Sequence, residues 1–274
     1  MIESKSKMIE VNKEQADFYS KKIKAKRNLI YWAWDRLRKN GFWKFRKFLG
    51  IDQHVEGLHT KWLDGIKNKT VLDLGCGGGN LLSPYLAEHA KEYVAIDLSE
   101  PLINHVREKL RRQGINRGEF ITDDFLTYPF DSGKFDVIYA FGVIHHFKDL
   151  DVLMERLQEC LSNDGIIITY DPTNTRLITK IVRGFYRPFQ PDADWEFPFT
   201  NQTFEVILRK FKLVASQGYF GSSVWMFPLY FLFPNSKIIQ RASLSKHKKD
   251  IERLCGNSKL VRKALNVSLL LSRR

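Results

Sequence analysis

The stretch that most constrains this 274-residue chain is Val71-Leu72-Asp73-Leu74-Gly75-Cys76-Gly77-Gly78-Gly79-Asn80. A short apolar run enters a glycine cluster, and a helical pattern follows from Leu81 to His89. A strand that turns through glycines into a helix lets the backbone approach a ligand closely and aims helix N–H groups at it. Two details narrow the ligand. Asn80 stands where the third glycine of the dinucleotide pattern would fall. Asp73 sits on the strand, Thr70–Leu74, just before the loop, a place suited to a cationic ligand rather than to a pyrophosphate.

The alternation continues downstream. Tyr93–Asp97, Gly118–Thr122, Phe135–Ala140 and Gly165–Tyr170 read as strands, the last apolar on both faces as a central parallel strand should be. Ser99 stands at the N-cap of a helix through Gln113, with Pro101 in its first turn. Leu150–Leu161 reads as a helix that stops at the turn signal Asn163-Asp164-Gly165. A helix at Thr203–Lys210 and strands at Lys212–Tyr219 and Asn266–Ser272 complete the pattern. Such alternation predicts a parallel sheet with helices on both faces. Upstream, 12–48 reads as an aromatic, basic helix broken near Asn40-Gly41, followed by a short helix at Val55–Leu63. The chain therefore divides into an N-terminal helical segment, 1–67, and an α/β domain, 68–274. Irregular stretches at about 171–199 and 220–260 read as insertions at strand ends, where specificity is usually built.

Charge is unevenly spread. Residues 1–70 hold 17 Lys and Arg against 8 Asp and Glu, and residues 235–274 hold 11 against 2. The middle, 71–234, holds 16 against 21. An acidic body with basic ends suits an anionic partner: a phosphate-bearing substrate, a membrane surface or a nucleic acid. Cys76, Cys160 and Cys255 are too few and too scattered for a disulfide framework or a metal site, so a reducing, cytoplasmic setting and no metal are expected. The N-terminus lacks the apolar stretch of a signal peptide. The most apolar window, Val224 to Phe233, holds Pro228 and is too short to span a bilayer. Contact with one membrane face is a secondary expectation.

The glycine string resembles the acidic-x-Gly-x-Gly-x-Gly motif of the class I S-adenosylmethionine-dependent methyltransferases, with Asp73, Gly75, Gly77 and Gly79 in its four places. The resemblance extends over about residues 68–172. It implies a Rossmann-like three-layer sandwich with a mostly parallel seven-stranded sheet whose last strand is antiparallel, beneath an N-terminal helical lid. S-adenosyl-L-methionine is the implied cofactor and S-adenosyl-L-homocysteine the implied product. Asp97, ending the second strand before Leu98, then takes the ribose hydroxyls. Asp124, preferred over Asp123 for its spacing to Pro129-Phe130, takes the adenine amine, with the backbone of Phe125 beside it. Cys76 is a small residue of the loop, and Phe141 and His146 belong to the fourth-strand motif against the cofactor.

Methyl transfer is an in-line displacement in which the enzyme mainly supplies proximity and alignment. An oxygen acceptor must also lose a proton, which requires a base. His145 and His146 follow the fourth strand and Asp171 ends the fifth, at the edge where open α/β sheets bind ligands. Sugar O-methyltransferases that this chain resembles pair a His and an Asp at these positions, so His145 with Asp171 is the expected base and His146 its competitor. Tyr19 on the lid helix, and Tyr186, Arg187 and Trp195 in the aromatic insertion, are the expected substrate contacts. The first expectation is O-methylation of a small molecule such as a sugar, natural product or lipid-linked intermediate. An RNA methyltransferase gripping phosphates with the basic ends comes second, and a non-catalytic S-adenosylmethionine-binding protein third.

Overall fold

The computed structural model describes residue 14 and residues 35–189, 193–256 and 258–274. Seven strands form one sheet in the order β3-β2-β1-β4-β5-β7-β6. They are β1 (Thr70–Leu74), β2 (Glu92–Asp97), β3 (Glu119–Thr122), β4 (Phe135–Phe141), β5 (Leu161–Pro172), β6 (Phe211–Tyr219) and β7 (Asn266–Arg273). The first five pair in parallel, whereas β7 runs antiparallel between β5 and β6. This is the expected Rossmann-like arrangement. The order reverses between β1 and β4, so a crevice opens at the carboxyl ends of those two strands.

Helices cover both faces. On one side α3 (Ser83–His89) and α4 (Glu100–Arg112) bury Leu86, Ile103, Val106 and Leu110 against Val71, Tyr93 and Tyr139. On the other, α5 (Leu150–Cys160) and α7 (Asn201–Lys210) set Leu153, Leu157, Phe204 and Ile207 against Leu72, Ile138 and Leu269. The apolar residues of α4 recur at three- and four-residue spacing, which is why one stripe of an otherwise charged helix is buried.

A third core joins segments far apart in sequence. Helices α1 (Trp43–Phe48) and α2 (Ile51–Trp62) pack on α8 (Phe227–Leu232) and α9 (Lys237–Arg253), burying Phe45, Val55, Tyr219 and Phe220. Phe220 carries a left-handed φ of 57° as the chain leaves β6. Its ring lies 4.9 Å from Phe42 and 6.2 Å from Phe45, burial that offsets the backbone cost. Arg46 fastens this layer to the sheet, donating to Asp52 at 2.6 Å and to the Tyr170 hydroxyl at 2.6 Å.

Four local expectations change. The helix does not break at Asn40-Gly41; a π turn, Arg38–Phe42, carries it through to α1. Gly41 is required there by packing, since a Cβ would lie 2.9 Å from the Phe231 ring. The second helix begins at Ile51, directly after Gly50 in a left-handed conformation, rather than at Val55. Asn163-Asp164-Gly165 is a bulge within β5, where the β4 register jumps from Phe135↔Leu161 to Val137↔Ile166. The stretch 171–199 is not irregular throughout, because it holds α6 (Leu177–Tyr186).

His59 pins α2 to the sheet. Its Nδ1 lies 3.1 Å from the Tyr139 hydroxyl and its Nε2 lies 2.8 Å from Ser268 Oγ. Burial drives its pKa from 6.5 down to about 3. The unfolded chain takes up a proton near pH 6.5 and the folded one does not, so this site loses stability as pH falls from 6.5 toward 3. Its share of the slope approaches about 1.4 kcal/mol per pH unit. Urea denaturation of wild type and His59→Gln across this range should show the gap between them shrinking as pH falls. A constant gap would mean that His59 is not neutral in the fold.

Candidate functional site

At the end of β1, the Gly75 and Cys76 N–H groups both donate to the Ile96 carbonyl, at 2.9 and 3.3 Å. Gly75, Gly77 and Gly79 then take φ of 58°, 51° and 100°, the left-handed side that favours glycine. Asp97, at the end of β2, clamps the loop. Its Oδ2 accepts from Gly77 N–H at 2.8 Å and its Oδ1 from Ser99 N–H at 2.9 Å. Burial pushes this carboxyl up, and the backbone donors pull it back.

Between this loop and the β4 end lies a cavity of about 210 Å³. Of the residues expected to hold the cofactor, Gly75, Gly77, Asp97, Leu98, Asp124, Phe125 and His146 line it. Asp123 lines it too, so both candidates for the adenine contact are present. Asp123 Oδ1 accepts from Asp124 N–H at 2.7 Å and Asp124 Oδ1 from Leu126 N–H at 2.9 Å, an acidic turn at one wall. Leu74, Ile96, Leu102, Gly142, Val143 and Phe147 also line it, none of them named by the sequence reading as a cofactor contact. Apolar residues near strand ends look alike in a sequence, and only the reversal of strand order between β1 and β4 selects these.

Four expected cofactor residues are not part of that lining. Asp73 is fully buried and spends both oxygens inside the protein. It accepts from Asn80 Nδ2 at 2.7 Å, from Ser83 Oγ at 2.5 Å and from the Tyr93 hydroxyl at 2.9 Å. Burial raises its pKa to about 6 against those three hydrogen bonds. Asn80, standing where a dinucleotide loop has glycine, thus reaches back to tie the loop to β1. Cys76 is buried in the core, where desolvation pushes its thiol far up, which leaves it a packing residue. Gly79 faces α4: a Cβ there would stand 3.3 Å from Val106. Phe141 stacks on Tyr170 at 4.8 Å instead of on the cavity.

At the carboxyl edge, His145 and Asp171 come together as the sequence suggested. His145 Nδ1 lies 2.8 Å from Asp171 Oδ1, which also accepts the His145 backbone N–H at 3.2 Å. Asp171 is fully buried. A carboxylate accepts only, so Nδ1 carries a proton, and in the neutral ring Nε2 keeps the lone pair. His146 differs. Its Nδ1 donates to the Trp195 carbonyl at 2.8 Å, and burial drives its pKa down to about 3, with His145 adding to the effect. A base that weak has little power to remove a hydroxyl proton near neutrality.

The aromatic insertion crosses this edge. Phe197 N–H donates to the His145 carbonyl at 2.6 Å, and Phe199 N–H to the Pro172 carbonyl at 2.8 Å. Trp195 therefore reaches the site through its backbone. The Arg187 guanidinium, read as an anion contact, donates to the carbonyls of Ala193 and Glu196 at 2.8 and 3.4 Å and so braces this strap. Tyr186 ends α6. Tyr19 and most of the expected lid helix lie outside the described residues.

Residues 71–165 match a family model described as a methyltransferase domain. Residues 71–165 thus carry a methyltransferase domain. S-adenosylmethionine is the cofactor of that family, and the glycine turn, the Asp97 clamp and the acidic wall fit a nucleoside. Among curated relatives, a demethylmenaquinone methyltransferase of Bacteroides fragilis is 28% identical over 130 residues, 46% of this chain and 52% of that protein. A ubiquinone biosynthesis O-methyltransferase of Coxiella burnetii is 36% identical over 84 residues, 31% of this chain and 35% of that one. The chain thus spans about half or less of these relatives. A geranyl diphosphate C-methyltransferase of Streptomyces coelicolor A3(2), solved with S-adenosyl-L-homocysteine, shares the fold. It has a TM-score of 0.53, with 13% identity over 81% of this chain and 77% of that one.

For this site, Asp97→Ala should weaken S-adenosylmethionine binding roughly 30- to 150-fold, the worth of about 2–3 kcal/mol for a charge-assisted contact. Isothermal titration calorimetry measures it. An unchanged Kd would remove Asp97 from the ribose.

Proposed function

We propose that the protein is an S-adenosylmethionine-dependent O-methyltransferase of a small, hydroxyl-bearing molecule. The observation that carries this reading is the 2.8 Å contact of His145 Nδ1 with the fully buried Asp171, beside the cofactor cavity. S-adenosylmethionine, when bound, supplies a methyl group already activated on a sulfonium. A neutral amine attacks through its lone pair and a carbon acceptor gives up its proton from carbon, whereas a hydroxyl must give up its proton as the oxygen attacks, which calls for a base beside the methyl group. His145 Nε2 takes that proton, and Asp171 holds the ring in the required tautomer and stabilises the imidazolium that forms. The strap from Trp195 to Phe199 fixes the two histidines and walls off water.

The relatives do not choose the acceptor for this chain, since their names include C-, N- and O-methyltransferases. The choice rests on the dyad. The test is incubation of the protein with methyl-labelled S-adenosylmethionine and fractionated cell extract, followed by mass spectrometry of the labelled product. A methyl ether or ester on a small molecule is expected. Label found on RNA, or on carbon or nitrogen, would overturn the reading.

A further inference from the structure

We propose that the layer formed by α1, α8 and the start of α9 docks on an anionic lipid surface. Helix α8 has two sides. Phe227 and Tyr230 face inward, 5.4 Å from Phe42 and 5.0 Å from Phe45. The opposite side leaves Leu229, Leu232 and the adjoining Phe233 between 45% and 65% exposed. Neighbouring elements add Trp43, Trp225 and Ile238, the last 81% exposed. Helix α8 contacts the π turn, α1 and α9, so the elements that carry these side chains adjoin one another. Scattered apolar residues need no explanation, but a cluster of aromatic and aliphatic side chains does.

The charge around the cluster names the occupant. Residues 225–249 contain five Lys or Arg and no Asp or Glu, and residues 36–48 contain six and none, of which Arg46 pairs with Asp52 and Arg38 and Lys39 with Asp35. Lys44, Lys47, Lys237 and Arg241 are all exposed. A second copy of the chain would set this basic rim against its own like charges. An anionic bilayer complements the rim, while Trp and Phe suit its headgroup level and Leu and Ile its acyl boundary. No helix among the described residues is long and apolar enough to cross a membrane. This inference is independent of the acceptor chemistry.

The test is co-sedimentation of the full chain with phosphatidylcholine vesicles made with and without phosphatidylglycerol, at low and high salt. Binding is expected only to the anionic vesicles, falling as salt rises. Leu232→Ser/Phe233→Ser and, separately, Lys237→Glu/Arg241→Glu should each weaken it by about tenfold or more. Circular dichroism melts should match wild type, since all four side chains are exposed. Three results would overturn the proposal. They are absence of binding to either vesicle, equal binding to both, and a concentration-dependent dimer abolished by Leu232→Ser/Phe233→Ser without vesicle binding.

Discussion

His145→Ala should lower the rate of methyl transfer by roughly 10²- to 10⁴-fold, the usual worth of a positioned general base, while leaving S-adenosylmethionine affinity near wild type. The separation follows from geometry. His146 lines the cavity proposed for the cofactor and His145 does not. The backbone carbonyl of residue 145, which receives Phe197 N–H, survives the substitution, so the strap keeps its anchor. Asp171→Asn should also reduce the rate. It removes the charge that stabilises a protonated His145 and places an amide where Asp171 Oδ2 is buried without a hydrogen-bond partner. Added imidazole should restore part of the His145→Ala rate, a response that damage to the fold would not give. Label transfer from S-adenosylmethionine measures turnover, and calorimetry measures cofactor binding. A His145→Ala protein with unchanged turnover would remove His145 as the base, and with it the argument for an oxygen acceptor.

The parts legible in the sequence were those set by local pattern. The strands are legible to within a few residues, because each is a short apolar run bounded by turn or cap signals. The dyad was legible because both members follow strands that the parallel order places side by side, with Phe141↔Tyr170 closing the ladder just before them. Other features depend on partners distant in sequence. Asp73 looked like a ligand contact because nothing local shows that Asn80, Ser83 and Tyr93 converge on it. Arg187 looked free for an anion because its acceptors are backbone carbonyls, which leave no mark on composition. Gly41 looked like a helix breaker, yet its role is to admit Phe231, a residue 190 positions away. The stretches 1–67 and 220–260 looked like separate appendages. Their described parts share one core, a union that exists only after the sheet has brought Tyr219 to Phe45.

Gly75→Ala should both destabilise the protein and weaken its hold on S-adenosylmethionine. The residue sits at φ 58°, where any side chain meets the next carbonyl, at a cost of about 1–2 kcal/mol. A Cβ there would also stand 2.3 Å from Val143 Cγ2 and 2.9 Å from Val143 Cβ, far inside contact distance. Relief by rotating Gly75 away is blocked, because its N–H is fixed to the Ile96 carbonyl. Overpacking of this kind adds about 1–3 kcal/mol, for a total near 2–5 kcal/mol. In a domain of this size that lowers Tm by roughly 5–15 °C. Since Gly75 and Val143 both line the cavity, whichever gives way reshapes it, and cofactor affinity falls with stability. The two causes can be separated. In Gly75→Ala/Val143→Ala the clash with Cγ2 disappears and the left-handed strain remains, so the double variant should be less destabilised than the sum of the single changes. Strict additivity would show that the loop moved away from Val143, and a Gly75→Ala protein with wild-type Tm and cofactor affinity would mean that the strand ends do not meet this closely.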